Sequence, residues 1–400
     1  MVIREYSKVE LVFSSSESEA VKIALVNLRR DLIRTLDCSV TAGGIIRILV
    51  GTVGNLPELD EKADISKLRA EDGTYRKEAF LIQEKDGELL IAGTDRRGTI
   101  YGIYDFCEWL GVSPWYFFAD VPVRRRSEAV IENGYCKVDY PSVEYRGIFI
   151  NDEEELEHWV WRYMGETTIG VKTYEKIFEL LLRLKLNYIW PAMHVNSFNL
   201  KQENGALANR MGIVVGTSHC DMLMRSNNRE WKPWLAKKGY TDVEYDFSIP
   251  GRNREILKEY WRESVEQNRD FEVSYTVGMR GIHDSGFETK SLEGLTGEKL
   301  LKAKIELLES VMAAQQEILS ETLDTEPMKT FVPYKEVLEL YDNGLKVPED
   351  LTLIWTNDNY GYVRRYPGEK EKARKSGNGI YYHNSYWAPP GASYLFICSI

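Results

Sequence analysis

Four of the chain's five histidines, His194, His219, His283 and His383, each follow a short apolar run that reads as a β-strand. Carboxylates and amides collect at the same places: Asn151, Asp152, Asn196, Asp221, Asp284, Glu336, Asp358 and Asn359. One such histidine alone is an ordinary hydrogen-bonded loop residue, but several at successive strand ends describe a site for a polar ligand. Three kinds of chemistry use such residues. Metal-dependent hydrolysis combines histidines with carboxylates, yet it usually has an HxH or HxxxH pair, and here the shortest spacing, His194 to His219, links two strands. Nucleophilic catalysis needs a poised Ser or Cys, and Ser218-His219-Cys220 is not a nucleophile elbow. General acid/base work by two carboxyl groups, the usual arrangement of glycoside hydrolysis, remains, with Asp284 and Glu336 as the natural pair. Trp190, Tyr334, Trp355, Tyr360, Tyr382, Tyr386 and Trp387 offer rings for a sugar face, and Arg280 offers a cation for an acidic substrate group.

Those residues need elements to carry them. From Tyr145 onward, strand candidates at 145–152, 187–193, 212–220, 271–281, 329–336, 351–359 and 379–387 alternate with helix candidates at 173–185, 203–211, 252–269, 298–323 and 336–344. Such alternation predicts parallel strands with crossover helices, and seven strands in one domain favour a (β/α)8-type TIM barrel with its chemistry at the C-terminal strand ends. Before it, residues 1–137 predict a small α/β domain. It has a helix at 20–36, a buried strand at 45–50, a hairpin turning at Asp86-Gly87, and a helix within 93–111. Gly93 and Gly98 match neither the P-loop nor the dinucleotide pattern, so a structural role is expected of them. The expected organisation is therefore an N-terminal α/β accessory domain over 1–137 and a barrel over 138–400.

Composition narrows the partners. In 400 residues, 51 Lys and Arg stand against 62 Asp and Glu for a net charge of −11, with no basic stripe beyond Arg124-Arg125-Arg126, which argues against nucleic acid. No apolar run approaches the ~20 residues that a bilayer span needs, and the charged opening lacks a signal segment's apolar core, so no membrane partner and a cytoplasmic location are expected. Five scattered cysteines without CxxC spacing suit reduced thiols.

The segments YRGIFINDEEELEHW, LLLRLKLNYIWPAMHVNSFN, MGIVVGTSHCDMLMR, FVPYKEVLELYDNGLKVPEDLTLIWTNDNYGYVRR and GIYYHNSYWAPP resemble glycoside hydrolase family 115, the xylan α-1,2-glucuronidases, in the same order over nearly the whole chain. The resemblance implies release of glucuronic acid or its 4-O-methyl ether from glucuronoxylan or aldouronic oligosaccharides, by inversion and without metal or other cofactor. It assigns Glu336 as catalytic acid, Asp284 as a candidate base, and Asp152, His219, Asn359, His383 and Tyr386 as further active-site positions, with Trp190, Arg280, Tyr334 and Asn357 beside them. Two departures stand out. Asn357 replaces an aspartate of the family's Asp-Asp-Asn-Tyr, and an amide cannot take a proton at neutral pH. The chain also stops at Ile400, where the family continues toward an eighth strand and C-terminal domains through which relatives pair. The expectation is a glucuronidase whose barrel lacks its last strand, with an inactive carbohydrate-binding remnant or a metal-dependent barrel hydrolase as alternatives.

Overall fold

The computed structural model describes residues 1–150, 153–358 and 361–383. Two compact units divide the chain: one holds Met1–Ile148, Val171–Tyr188 and Ala206–Ile213, the other Phe149–Gly170, Ile189–Gly205 and Val214–Ile400. Among the described residues no helix is long and apolar enough to cross a membrane.

In the first unit the strands are β1 (Val2–Arg4), β2 (Lys8–Val12), β3 (Ser39–Val40), β4 (Ile46–Thr52), β5 (Phe80–Lys85), β6 (Glu88–Gly93), β7 (Glu128–Val130) and β8 (Cys136–Asp139). Six of them make a mixed sheet of order β3-β2-β4-β6-β5-β8, while β1 pairs with β7. β4 reads Ile-Arg-Ile-Leu-Val-Gly-Thr and is buried through its middle, as a central parallel strand covered on both faces should be. The β5–β6 hairpin turns at Asp86 and Gly87, whose φ angles of 53° and 81° suit the tight turn expected of Asp-Gly. Helix Glu19–Leu36 starts at Ser18, whose side chain accepts from the Val21 amide, and it ends at Asp37 in the left-handed region. Helix Arg96–Leu110 starts at Asp95 in the same way. Gly98 in this helix and Gly93 at the end of β6 are packing devices: a Cβ on Gly98 would lie 2.2 Å from the Ala79 carbonyl oxygen, and one on Gly93 would lie 2.0 Å from the Thr99 nitrogen. Both positions are filled by protein, which is why the spacing matches no phosphate loop.

Helix Val171–Arg183 joins this unit through buried charge. Arg183 reaches Asp31 at 2.6 Å and Glu179 at 2.9 Å, and Arg30 reaches Glu179 at 2.6 Å. Burial alone would raise the Glu179 carboxyl, but Arg183 and Arg30 outweigh it and hold it down to about 2.

The second unit carries β9 (Gly147–Phe149), β10 (Tyr188–Trp190), β11 (Val214–Val215), β12 (Ser274–Thr276), β13 (Met328–Phe331), β14 (Thr352–Thr356) and β15 (Asn378–Tyr381). A strand is present within or overlapping each span expected from Tyr145 onward, and each is shorter than expected among the described residues. Hydrogen bonding follows chain order: a sheet of order β11-β10-β9 and a parallel sheet of order β12-β13-β14-β15, joined by the parallel bridge Val215↔Val273. Helices Gln202–Met211, Arg252–Asn268, Gly297–Thr322, Glu336–Asp342 and Glu369–Lys372 separate successive strands. The sheet curls. Tyr381 of β15 meets Phe149 of β9 at 5.5 Å and Trp190 of β10 at 5.3 Å between ring centroids, so the first and last strands share interior aromatics. Helices Glu154–Trp159 and Trp231–Lys238 have no counterpart among the expected elements, since their apolar residues are too few and too irregular to set a period.

Removing one partner of a buried ion pair leaves the other charge under-compensated, so Arg183→Ala, which leaves the fully buried Asp31 with only Arg30 at 3.3 Å, is expected to cost up to about 3–5 kcal/mol. Urea denaturation followed by circular dichroism measures it; a loss below about 1 kcal/mol would show the pair to be incidental.

Candidate active site

The second unit holds a cavity of about 290 Å³ at the C-terminal ends of its strands. Its wall includes His194, His219, Asp221, His283, Asp284, Tyr334, Asn357 and His383, all expected from sequence, together with Glu153, Lys335 and Tyr381. Arg280 belongs to the same cluster through its contact with the wall residue Asp284, and Glu336 through its pairing with Arg280. Trp190 does not line the cavity: it is 5% exposed and packs edge-on against Phe149 and Tyr381. Trp355 is likewise buried, with its indole N–H donated to Asn378. Besides Tyr334 and Phe149, Tyr381 brings a ring to the cavity wall, one residue before the Tyr382 read from sequence, because successive side chains along extended backbone point to opposite faces. Asp152, Asn359, Tyr360, Tyr386 and Trp387 lie outside the described residues.

Charge is organised around Arg280, which is only 2% exposed. Its Nε and one Nη donate to the two oxygens of Glu336, each at 2.9 Å, and its other Nη contacts Asp284 Oδ1. Asp284 also faces His219 Nε2 at 3.0 Å and Lys335 Nζ at 3.0 Å. The course of the backbone explains how these groups converge. Arg280 follows β12, and helix Gly297–Thr322 fixes that segment by pairing the Gln315 amide with both backbone groups of Gly278 at 2.8 and 2.9 Å. His283, Asp284 and Lys335 all adopt left-handed backbone angles, with φ of 58°, 59° and 50°. Such conformations are costly for residues with a Cβ and persist where surrounding contacts over-determine them. Here the turns aim Asp284 at the cavity and start helix Glu336–Asp342 with its first carboxylate on Arg280.

The same contacts set the protonation states. Burial would raise Glu336, but the Arg280 guanidinium and the amides of Glu336 and Phe287 hold its carboxyl below the ordinary range. His219 is pushed down to about 3, first by burial and then by the cations Arg280 and Lys335, so it is a neutral imidazole, with Nε2 3.0 Å from Asp284 Oδ1. Burial also drives Asp221 up to about 7 and the Cys220 thiol well above its ordinary value, which leaves Cys220 protonated and unsuited to nucleophilic attack. Glu153 is raised by burial while accepting from the Asn196 amide at 2.9 Å and from Val195.

Asn357 is clasped to the chain beyond β15: its Nδ2 donates to the His383 carbonyl at 3.1 Å, and its Oδ1 accepts from the His383 amide at 2.8 Å. The clasp needs one donor and one acceptor, which an ionised carboxylate cannot supply. Sequence reasoning passes over Glu153, Lys335, Tyr381 and Asn227 as site residues. Only Lys335 carries a signal, as the middle residue of the Tyr-Lys-Glu run.

Residues 138–400 match glycosyl hydrolase family 115. The structure resembles that of a family GH115 4-O-methyl-α-glucuronidase with specificity for decorated arabinogalactans, at 36% identity and a TM-score of 0.86, over 98% of this chain and 50% of that one. The chain thus spans about half the length of that relative. The solved structure of CpGH84D shares the fold alone, with 12% identity and a TM-score of 0.50 over 92% of this chain and 55% of that one. No curated protein matches the chain. On the strength of the family match and the 36% identity over nearly its full extent, the chain belongs to glycosyl hydrolase family 115.

Proposed function

We propose that the protein is an α-glucuronidase that releases glucuronic acid, or its 4-O-methyl ether, from α-1,2 linkages on xylan or xylo-oligosaccharides by an inverting two-carboxylate mechanism. The stated specificity of the solved relative makes decorated arabinogalactan the second polymer to assay. The strand and helix alternation from β9 to β15, with Tyr381 folded back onto Phe149 and Trp190, supports a (β/α)8-type barrel over 138–400 as the catalytic scaffold, preceded by an accessory domain over 1–137.

One observation carries the proposal: a buried guanidinium is shared between Asp284, at the wall of a sugar-sized cavity, and Glu336 behind it. Inverting hydrolysis needs one carboxyl group protonated beside the leaving oxygen and one ionised to activate water, about 6.5–9.5 Å apart. Asp284, facing Arg280, Lys335 and His219, is the base. Glu336 is the acid, armed by the substrate. While Arg280 grips it, it stays ionised; an incoming uronate carboxylate competes for Arg280 and Lys335, and with that partner drawn away burial pushes Glu336 up toward protonation. Asp152, Asn359 and Tyr386 complete the substrate contacts in this reading, and Asn357 serves as a strap rather than as a base.

Glucuronoxylan and arabinogalactan digests followed by proton NMR test the reaction directly. Free uronic acid should appear first as the inverted anomer, and Glu336→Gln and Asp284→Asn should each slow its release by roughly 10²–10⁴-fold. No release from either polymer, or an undiminished rate in Glu336→Gln, would sink the proposal.

Asn357→Asp restores the family's residue but removes the donor of the clasp. It should therefore lower stability by about 1–3 kcal/mol, read as a lower midpoint in thermal or urea unfolding, without raising activity. Higher activity in Asn357→Asp would show that the position is the base.

His219 gives a pH prediction. Its folded value of about 3 lies below its ordinary 6.5, so between these limits the unfolded chain binds a proton that the folded chain refuses. Its contribution to stability is complete above about pH 6.5 and is lost as the pH falls toward 3. His219→Gln should flatten the acid loss of stability across that window; an unchanged profile would mean that the imidazole is solvated.

A further inference from the structure

Sequence spacing offers no close histidine pair for a metal ion. The fold makes one from residues 89 positions apart. His194, after β10, and His283, after β12, stand at the cavity wall with their Nε2 atoms 3.1 Å apart and ring centroids at 4.1 Å. Two imidazole nitrogens each about 2.0–2.1 Å from a zinc ion are about 3.1 Å apart when the angle at the metal is about 100°, close to tetrahedral. Glu154 Oε1 lies 3.9 Å from His194 Nε2, near enough to supply an oxygen after a side-chain rotation.

The backbone behind both rings is fixed. Consecutive asparagines hold the two histidines: Asn227 Oδ1 accepts from the His283 amide at 3.1 Å, and Asn228 Nδ2 donates to the His194 carbonyl at 3.2 Å. Asn227 is itself held by Asp221 Oδ1, at 3.2 Å from its amide, and by the Cys220 and Gly281 carbonyls at 2.9 and 3.2 Å. His283 keeps a left-handed backbone within this frame. The side chain of His194 is 40% exposed, so an ion can reach the pair from solvent.

We propose that His194 and His283 form a binding site for a borderline transition-metal ion, zinc being the probe, with Glu154 and water completing its coordination. Among the described residues no three His, Cys, Asp or Glu side chains already converge on one point, so the site is a two-imidazole site and the ion a reversible ligand of the cavity mouth. A cation there shares the cavity wall with Asp284 and Lys335, and its binding obstructs entry of the sugar. The inference rests on the two rings and their supports, and it stands whether or not the sugar assignment holds.

Isothermal titration of the chain with zinc chloride tests it. One ion per chain should bind saturably, and His194→Ala and His283→Ala should each weaken binding by roughly tenfold or more, since each removes half of the imidazole set. Cobalt(II) titration gives a second readout, because displacement of water by ring nitrogen alters its visible absorption. Both rings are at the surface of the cavity, and retained far-ultraviolet circular dichroism verifies that the variants fold. No saturable binding up to millimolar zinc, or binding that survives either substitution unchanged, overturns the site.

Discussion

The geometry of the cavity depends on a single buried guanidinium. Arg280 is out of water, and a cation in that position must be paired. Glu336 answers it in the two-point geometry that suits arginine, and Asp284 takes the remaining nitrogen. Two carboxylates brought together without it would repel, and one would be forced to hold a proton. The arginine therefore decides both where the acids stand and how they are charged. Backbone conformations that would be unfavourable elsewhere, at His283, Asp284 and Lys335, are held because each serves this arrangement.

The scaffold brings the partners within reach in a simple way. β12 and β13 are adjacent parallel strands, with Thr276 and Thr330 hydroxyls 3.1 Å apart across the interior, so the chain leaves both strands on the same side. Arg280 rides out on the first and Glu336 on the second. The aromatic contacts of Tyr381 with Phe149 and Trp190 do for the whole curled sheet what the threonine pair does locally: they bring groups from opposite ends of the chain order to one interior.

Much of this is legible in the residues. Strand and helix alternation from Tyr145 onward, the Asp-Gly hairpin, and the convergence of His219, Asp284, Tyr334 and His383 all follow from periodicity and strand-end position. What is not legible depends on pairing across long stretches of chain. A sequence that presents Arg280 as a lone cation gives no sign that it is already engaged by Glu336, and nothing in the spacing of His194 and His283 indicates adjacent rings. Side-chain direction within β15 differs from the sequence reading by one residue, exchanging Tyr382 for Tyr381, because a short strand gives too few alternations to set its phase. Polar neighbours make Trp190 and Trp355 look like sugar platforms, whereas each ring fills interior space.

The salt bridges of Glu179 and Arg183 bear on how such a protein can be taken apart. Helix Val171–Arg183 lies well inside the stretch that matches the family, yet its charges are neutralised by Arg30 and Asp31 from the leading part of the chain. The polypeptide passes back and forth between the two units instead of finishing one before beginning the other. A fragment cut at residue 138 would keep the Glu179–Arg183 pair but leave Arg30 and Asp31 behind. The leading segment thus supplies part of the charge compensation of that helix, and a module exchange that moved one stretch without the other would lose it.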